Sequence, residues 1–189
     1  MIKKNIVAAA FMLTGLALAT SASAQVYVGA ALGQSKWDIN CAGLTTCKTS
    51  DTSYKFMGGY DFTRIFAVEA SYFSLGELSF SSGTVKAETR GKGFEFSGLI
   101  KTPQIAGISG FAKLGVAAVK GETNATDGAI SAVSSKSKAQ PVFGLGMVWT
   151  FAEKTGLRVE FERHKVDVAN VANSRANVNT VSIGVQASY

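Results

Sequence analysis

The sequence predicts an all-β protein: a single transmembrane, eight-stranded, antiparallel up-and-down β-barrel. Three observations carry this reading. Apolar and polar residues alternate through most of the chain after residue 24, as in strands with one apolar and one polar face. The connections between these segments are alternately short and long, as in barrels with tight turns at one end and loops at the other. An export leader precedes them.

Composition sets the limits. The chain has 189 residues, 19 Lys+Arg against 13 Asp+Glu, 47% apolar residues and 17% charged ones. A disordered charged tail needs more charge and fewer apolar groups. Two cysteines and one histidine cannot build a disulfide scaffold or a four-cysteine zinc site.

Residues 1–24 read MIKKNIVAAAFMLTGLALATSASA. Lys3 and Lys4 precede an apolar run from Ile6 to Ala19, which is shorter than the roughly 20 residues of a spanning helix. Ala22-Ser23-Ala24 is a small-residue cleavage site. The segment reads as a Sec-type signal peptide cut before Gln25. Residues 25–189 are then the barrel domain, in an oxidising compartment.

Strands are expected near 25–35, 52–62, 65–79, 88–102, 107–121, 138–151, 155–168 and 178–189. In the second, Tyr54, Phe56 and Tyr60 alternate with Lys55, Met57, Gly59 and Asp61. Phe66 and Tyr72 mark the apolar face of the third. In the fourth, Phe94, Phe96 and Ile100 alternate with Gly93, Glu95, Ser97 and Lys101. Lys113 lies on the polar face of the fifth. Phe143, Trp149 and Phe151 lie on the apolar face of the sixth. Leu157, Val159 and Phe161 define the seventh, and Val181, Ile183, Val185 and Ala187 the last. Stretches 36–51, 80–87, 122–137 and 169–177 are rich in Ser, Thr, Asn and Gly and are expected to be the long loops.

The charges set the sense of the barrel. Lys55, Asp61, Glu69, Glu95, Lys101, Lys113, Arg158, Glu160 and Glu162 all share the polar face. A soluble ligand-binding barrel turns its apolar face inward. Here the opposite face carries aromatics near strand ends, including Phe62, where membrane-interface girdles sit. The polar face therefore points inward, where acids and bases can pair.

Other chemistry finds little support. Cys41 and Cys47 enclose a short span of the first long loop, and a loop-tip disulfide is expected. His164 is the sole histidine and is expected near the rim. Val166 follows it at the position where outer-membrane lipid A deacylases carry a serine, so no nucleophile is present. No catalytic residue, cofactor or metal cluster is expected. Arg90, Lys92, Lys120 and Arg163 extend the outward face of their strands toward the long-loop end. They suit the phosphates of lipopolysaccharide. No aromatics interleave them, and an exported protein has no nucleic acid to bind. A closed barrel has no free edge, which suits a monomer in outer-membrane lipid.

Collinear segments of the chain resemble the eight-stranded barrel domain of the OmpA family. They are Tyr27-Val28-Gly29-Ala30-Ala31-Leu32-Gly33, Gly58-Gly59-Tyr60 with Val68-Glu69-Ala70-Ser71-Tyr72, and Lys113-Leu114-Gly115. Pro141-Val142-Phe143 with Gly146, Leu157-Arg158-Val159-Glu160-Phe161, and Val181-Ser182-Ile183-Gly184-Val185 complete the set. The resemblance implies an outer-membrane location and a lumen closed by salt bridges. Glu69 and Arg158 fall on a central acid–base pair, and Glu160 and Lys113 on further interior charges. Leu99 and Val148 replace an interior lysine and glutamate of the family, so exchange of ion-pair partners is not expected. The family's peptidoglycan-binding domain is expected to be missing. Tyr189 resembles the terminal aromatic read by the barrel-assembly machinery, which with periplasmic chaperones is an expected partner. The expected role is structural support of the envelope with surface loops. A narrow pore gated by an interior salt bridge and a loop-based adhesin are the alternatives.

Overall fold

A computed structural model of the chain describes residues 25–39, 46–82, 85–127, 130–167 and 175–189. The leader, residues 1–24, lies outside them. The strands are β1 (Gln25–Asp38), β2 (Thr46–Lys48), β3 (Ser50–Asp61), β4 (Phe66–Ser82) and β5 (Val85–Lys101), then β6 (Ile108–Asp127), β7 (Ile130–Ala152), β8 (Thr155–Asp167) and β9 (Arg175–Ser188). All pairings are antiparallel. β1 and β3 to β9 each pair with their neighbours, β4 joins β5, and β9 returns to β1 from Tyr27↔Ser188 to Asp38↔Asn177. Eight strands thus close a barrel, which satisfies every strand edge within the bilayer.

Alternation places the side chains as expected. Phe56, Phe94, Phe96, Leu114, Ile183 and Val185 face outward. Phe62, Phe66, Trp149 and Phe151 are exposed beside the short turns, forming an aromatic girdle. Tyr54, Tyr72 and Phe94 form a second aromatic group higher on the wall, with ring centroids 6.4 Å and 5.1 Å apart along that series. At one short turn the Thr63 hydroxyl accepts hydrogen bonds from the Ile65 and Phe66 amides. Another turns through Ala106 and Gly107, both at positive φ.

The other end departs from expectation. Stretches 80–87 and 122–137, expected to be loops, are largely strand. β4–β5 pairing runs to Ser82↔Val85, and β6–β7 pairing to Asp127↔Ile130. Their polar composition suits strands with both faces in water. The register of the wall below carries the ladders on, so four strands project beyond the rest as one sheet. β2 is also unforeseen: it takes over the edge of β4 above the end of β3, pairing Thr46↔Ser81. Between those contacts β4 bulges at Gly76, which has φ of 71°. The Asp51 carboxylate accepts from the Glu77 amide at 2.8 Å and from Lys48 at 3.1 Å, tying the bulge to β3.

Candidate functional site

The inward residues stack in layers. At the short-turn mouth Lys101 pairs with Asp61 at 2.6 Å. Above them Tyr27, Ala67, Leu99 and Phe111 pack together, with Val148 against them. The glycines opposite make room for these rings: a Cβ at Gly59 would run into Tyr27, and one at Gly146 into Phe111. A cavity of about 400 Å³ opens at this mouth, lined by residues including Gln25, Gln104, Lys154 and Gln186. A recess of about 140 Å³ reaches inward as far as Arg158.

The central layer is ionic. Arg158 on β8 binds Glu69 on β4 through both terminal nitrogens, at 2.7 and 3.2 Å. Its guanidinium lies 4.3 Å from the centre of the Phe111 ring. The Tyr27 hydroxyl donates to the same carboxylate at 2.9 Å. Arg158 also reaches Glu160 at 3.1 Å. Lys113 on β6 is a hub, with Glu95 and Glu160 each at 2.8 Å, Glu69 at 3.5 Å and Glu162 in direct contact. Lys55 on β3 crosses the lumen to Glu160 at 2.5 Å and Glu162 at 2.9 Å. All these groups are buried. Gly144 leaves the space beside the Lys113 stem.

A third layer, toward the projecting sheet, is apolar. Trp37, Phe73, Leu75, Val119, Val142 and Val178 pack across the lumen with other small apolar residues. Trp37 is 1% exposed. Alternation alone did not disclose this layer, because it marks which face a residue takes and not how high it sits.

The network residues expected from the sequence, Glu69, Arg158, Glu160, Lys113 and Glu95, converge in one cluster. Lys55 and Glu162 belong to it equally. Two expectations change. Leu99 and Val148 do remove the anticipated alternative partners, yet Glu69 has a second cation, because Lys113 approaches it from another strand. His164 is not at the rim. It is buried, with Nε2 3.3 Å from Glu95 and its ring 4.6 Å from Phe73. With Glu95 and Glu162 it forms a group of the kind that holds metal ions, where the sequence suggested no such cluster. Glu162 and His164 lie two residues apart on one face of β8, and Glu95 comes from the distant β5, so the local spacing shows only two of the three. The Lys113 ammonium already bridges both carboxylates.

The remaining expected residues lie apart. Arg90, Lys92, Lys120 and Arg163 all turn outward. Arg90 binds Glu77 at 2.6 Å, while Lys120 and Lys92 bind Glu122 at 2.7 and 3.3 Å and hold its carboxyl below the usual range. Cys41 lies outside the described residues. Cys47 stands in β2 opposite Phe80, and no described cysteine is a free thiol. The Tyr189 amide donates to the Val26 carbonyl at 2.9 Å, and its side chain is exposed.

The sequence pattern of the OmpA-like transmembrane domain matches residues 21–189. The chain belongs to that family. Curated protein sequences give no match. Among solved structures the chain is similar to Ail, the attachment invasion locus protein of Yersinia pestis, with TM-score 0.60 and 12% identity over 89% of this chain and 100% of that one. Neisserial surface protein A matches with TM-score 0.60 and 13% identity over 87% and 97%. The N-terminal barrel domain of Pseudomonas aeruginosa OprF matches with TM-score 0.53 and 12% identity over 87% and 97%. At such identities these likenesses speak to fold. Membership of the OmpA-like family implies an outer-membrane location, with the aromatic girdle at one bilayer interface.

Proposed function

We propose that this OmpA-like barrel is a non-conducting structural element of the outer membrane, presenting its projecting sheet at the cell surface. The observation that carries this reading is the sequence of layers in the lumen. A continuous pore needs a continuous water path, and two layers stand against one here. The ionic layer joins acids and bases across the lumen, and the apolar layer packs large side chains across it above. The recess from the short-turn mouth ends at Arg158.

Planar-bilayer recording of the refolded protein tests this. The wild type is expected to be silent, and Arg158→Ala to be silent or merely less stable. Steady wild-type openings that widen in Arg158→Ala would replace the reading with that of a gated pore.

A second reading, surface binding, is favoured by the four strands that continue past their neighbours. The structural relative Ail was solved with a heparin analogue, sucrose octasulfate. This chain's outer end carries Lys36, Lys48, Lys138 and Lys165 in or beside its loops, which would suit a sulfated polymer or lipopolysaccharide phosphates. Arg163 and the exposed sides of Arg90, Lys92 and Lys120 extend that basic belt. Heparin-column retention that survives charge reversal of these lysines would count against it. The leader, the assembly role of Tyr189 and the Cys41–Cys47 bridge belong to the same proposal.

A further inference from the structure

We propose that Lys36 on β1 and Arg163 on β8 form a binding site for the phosphate of an outer-leaflet lipid, on the outer wall of the barrel where β1, β9 and β8 meet. This rests on the surface-binding reading above and narrows it to one ligand source and one place. The basic residues of the outer end are not equivalent. On the β5–β6 side, Lys92 and Lys120 stand directly opposite each other, a repulsive arrangement unless an anion lies between them. The chain supplies that anion: Glu122 binds the two lysines at 3.3 and 2.7 Å, and Glu77 binds Arg90 at 2.6 Å. These three cations are answered from within the protein.

The β1–β9–β8 side differs. Lys36 stands opposite Asn179 on β9, and Asn179 opposite Arg163 on β8. Directly opposite residues share a face. The two cations therefore flank a neutral amide, and Ser50 and Phe143 end the row. Lys36 and Arg163 are both exposed. Among the described residues neither forms an ion pair, and their row holds no acid. Asp38 lies one row higher, in line with Asn177 and Lys165. Two strand spacings set the Lys36 and Arg163 backbones roughly 10 Å apart, a gap that two long side chains can close on one phosphate. The Arg fork can grip two of its oxygens while the Lys ammonium follows a third. Height selects the source of that phosphate. Phe161 and Val181 lie two residues below Arg163 and Asn179 on the same face, and both are exposed as lipid-facing residues are. The site thus sits at the upper edge of the apolar wall, the level of lipid headgroups, where each Lys or Arg adds attraction to anionic lipid. A soluble polymer would meet the loops above it first.

The test compares Arg163→Gln and Lys36→Gln/Arg163→Gln with Lys92→Gln/Lys120→Gln/Glu122→Gln, all refolded in detergent. The triple variant removes the same net charge as Arg163→Gln, so it controls for charge alone. Heat-modifiable gel mobility checks that each barrel is folded, and Arg163→Gln alone decides if the double variant is not. Native mass spectrometry then measures bound lipid A against the same lipid stripped of its phosphates. Arg163→Gln should bind the phosphorylated lipid about fivefold more weakly than wild type, and the double variant more than about tenfold. The triple variant should stay within about twofold, because its ion pairs are exposed and self-contained. Equal losses in Arg163→Gln and the triple variant would overturn the proposal, as would equal binding of the lipid without phosphates. Heparin-column retention of the same proteins separates this failure from that of the wider reading. A double variant that keeps its lipid but leaves the column early would assign Lys36 and Arg163 to a soluble polymer, overturning the lipid site and upholding surface binding. A wild type that binds neither lipid A nor heparin would remove both.

Discussion

Arg158 grips Glu69 across the lumen with two hydrogen bonds, at 2.7 and 3.2 Å, while its guanidinium lies against Phe111. Removing one partner strands the other. Arg158→Ala or Glu69→Ala is expected to lower stability by about 3–5 kcal/mol. Glu69→Ala combined with Arg158→Ala should cost clearly less than the sum of the singles. Urea unfolding of the four proteins in lipid vesicles measures the coupling, and strictly additive losses would contradict it.

The glycines facing the two buried rings answer a space requirement. Gly59→Ala and Gly146→Ala should each destabilise by about 1–3 kcal/mol through forced side-chain displacement. Shrinking the ring should relieve the clash, so Gly146→Ala/Phe111→Val is expected to recover part of the loss relative to Phe111→Val alone. Thermal gel-shift assays of folded against unfolded protein can rank the set.

Trp37 tests the apolar layer separately from the ionic one. Trp37→Ala should cost about 3–5 kcal/mol and leave the barrel electrically silent, because the central ion pairs still close the lumen. Channel openings in Trp37→Ala would assign the seal to the apolar layer alone.

Asp51 makes the β4 bulge responsive to acid. Burial pushes its carboxyl up, but the Glu77 amide, Lys48 and the Thr52 amide outweigh burial and hold it below the usual carboxylate range. A carboxyl lowered in the folded state lends stability above its unfolded range and loses it as the pH falls through the folded value. Amide exchange at Glu77 should therefore lose protection on acidification and in Asp51→Ala, while amides deep in β4 keep theirs. Uniform loss along β4 would mean global unfolding instead.

Deleting Tyr189 should reduce the surface-exposed, folded protein in cells while leaving refolding in vitro nearly unchanged. Its backbone adds one hydrogen bond to the seam, at Val26, and its ring lies exposed. Wild-type assembly after the deletion would remove the terminal aromatic from the targeting signal.

Face was legible in the sequence; height was not. Alternation assigned Glu69, Arg158 and Lys113 to the lumen because parity along a strand is a local property. Which side chains share a level depends on the stagger between strands, and that is set by all the pairings together. Hence Lys55 meeting Glu160 from across the lumen, His164 beside Glu95 and the apolar layer around Trp37 emerge only with the register. Ser- and Thr-rich composition misled at 80–87 and 122–137 for a related reason: a growing ladder recruits neighbours whose own preferences are weak.

The central ion pairs bear on how such a barrel forms. Its acids come from β4, β5 and β8, and its bases from β3, β6 and β8. Apart from Glu160 with Arg158, both on β8, every pair joins different strands, and Lys55 and Arg158 reach across strands that are not neighbours in the wall. A half-assembled sheet would carry these charges largely unmatched against lipid. Partial structures are therefore unfavourable, and closure is driven toward an all-or-none event in which the last seam, β1 against β9, completes the circuit of charge as well as the circle of strands.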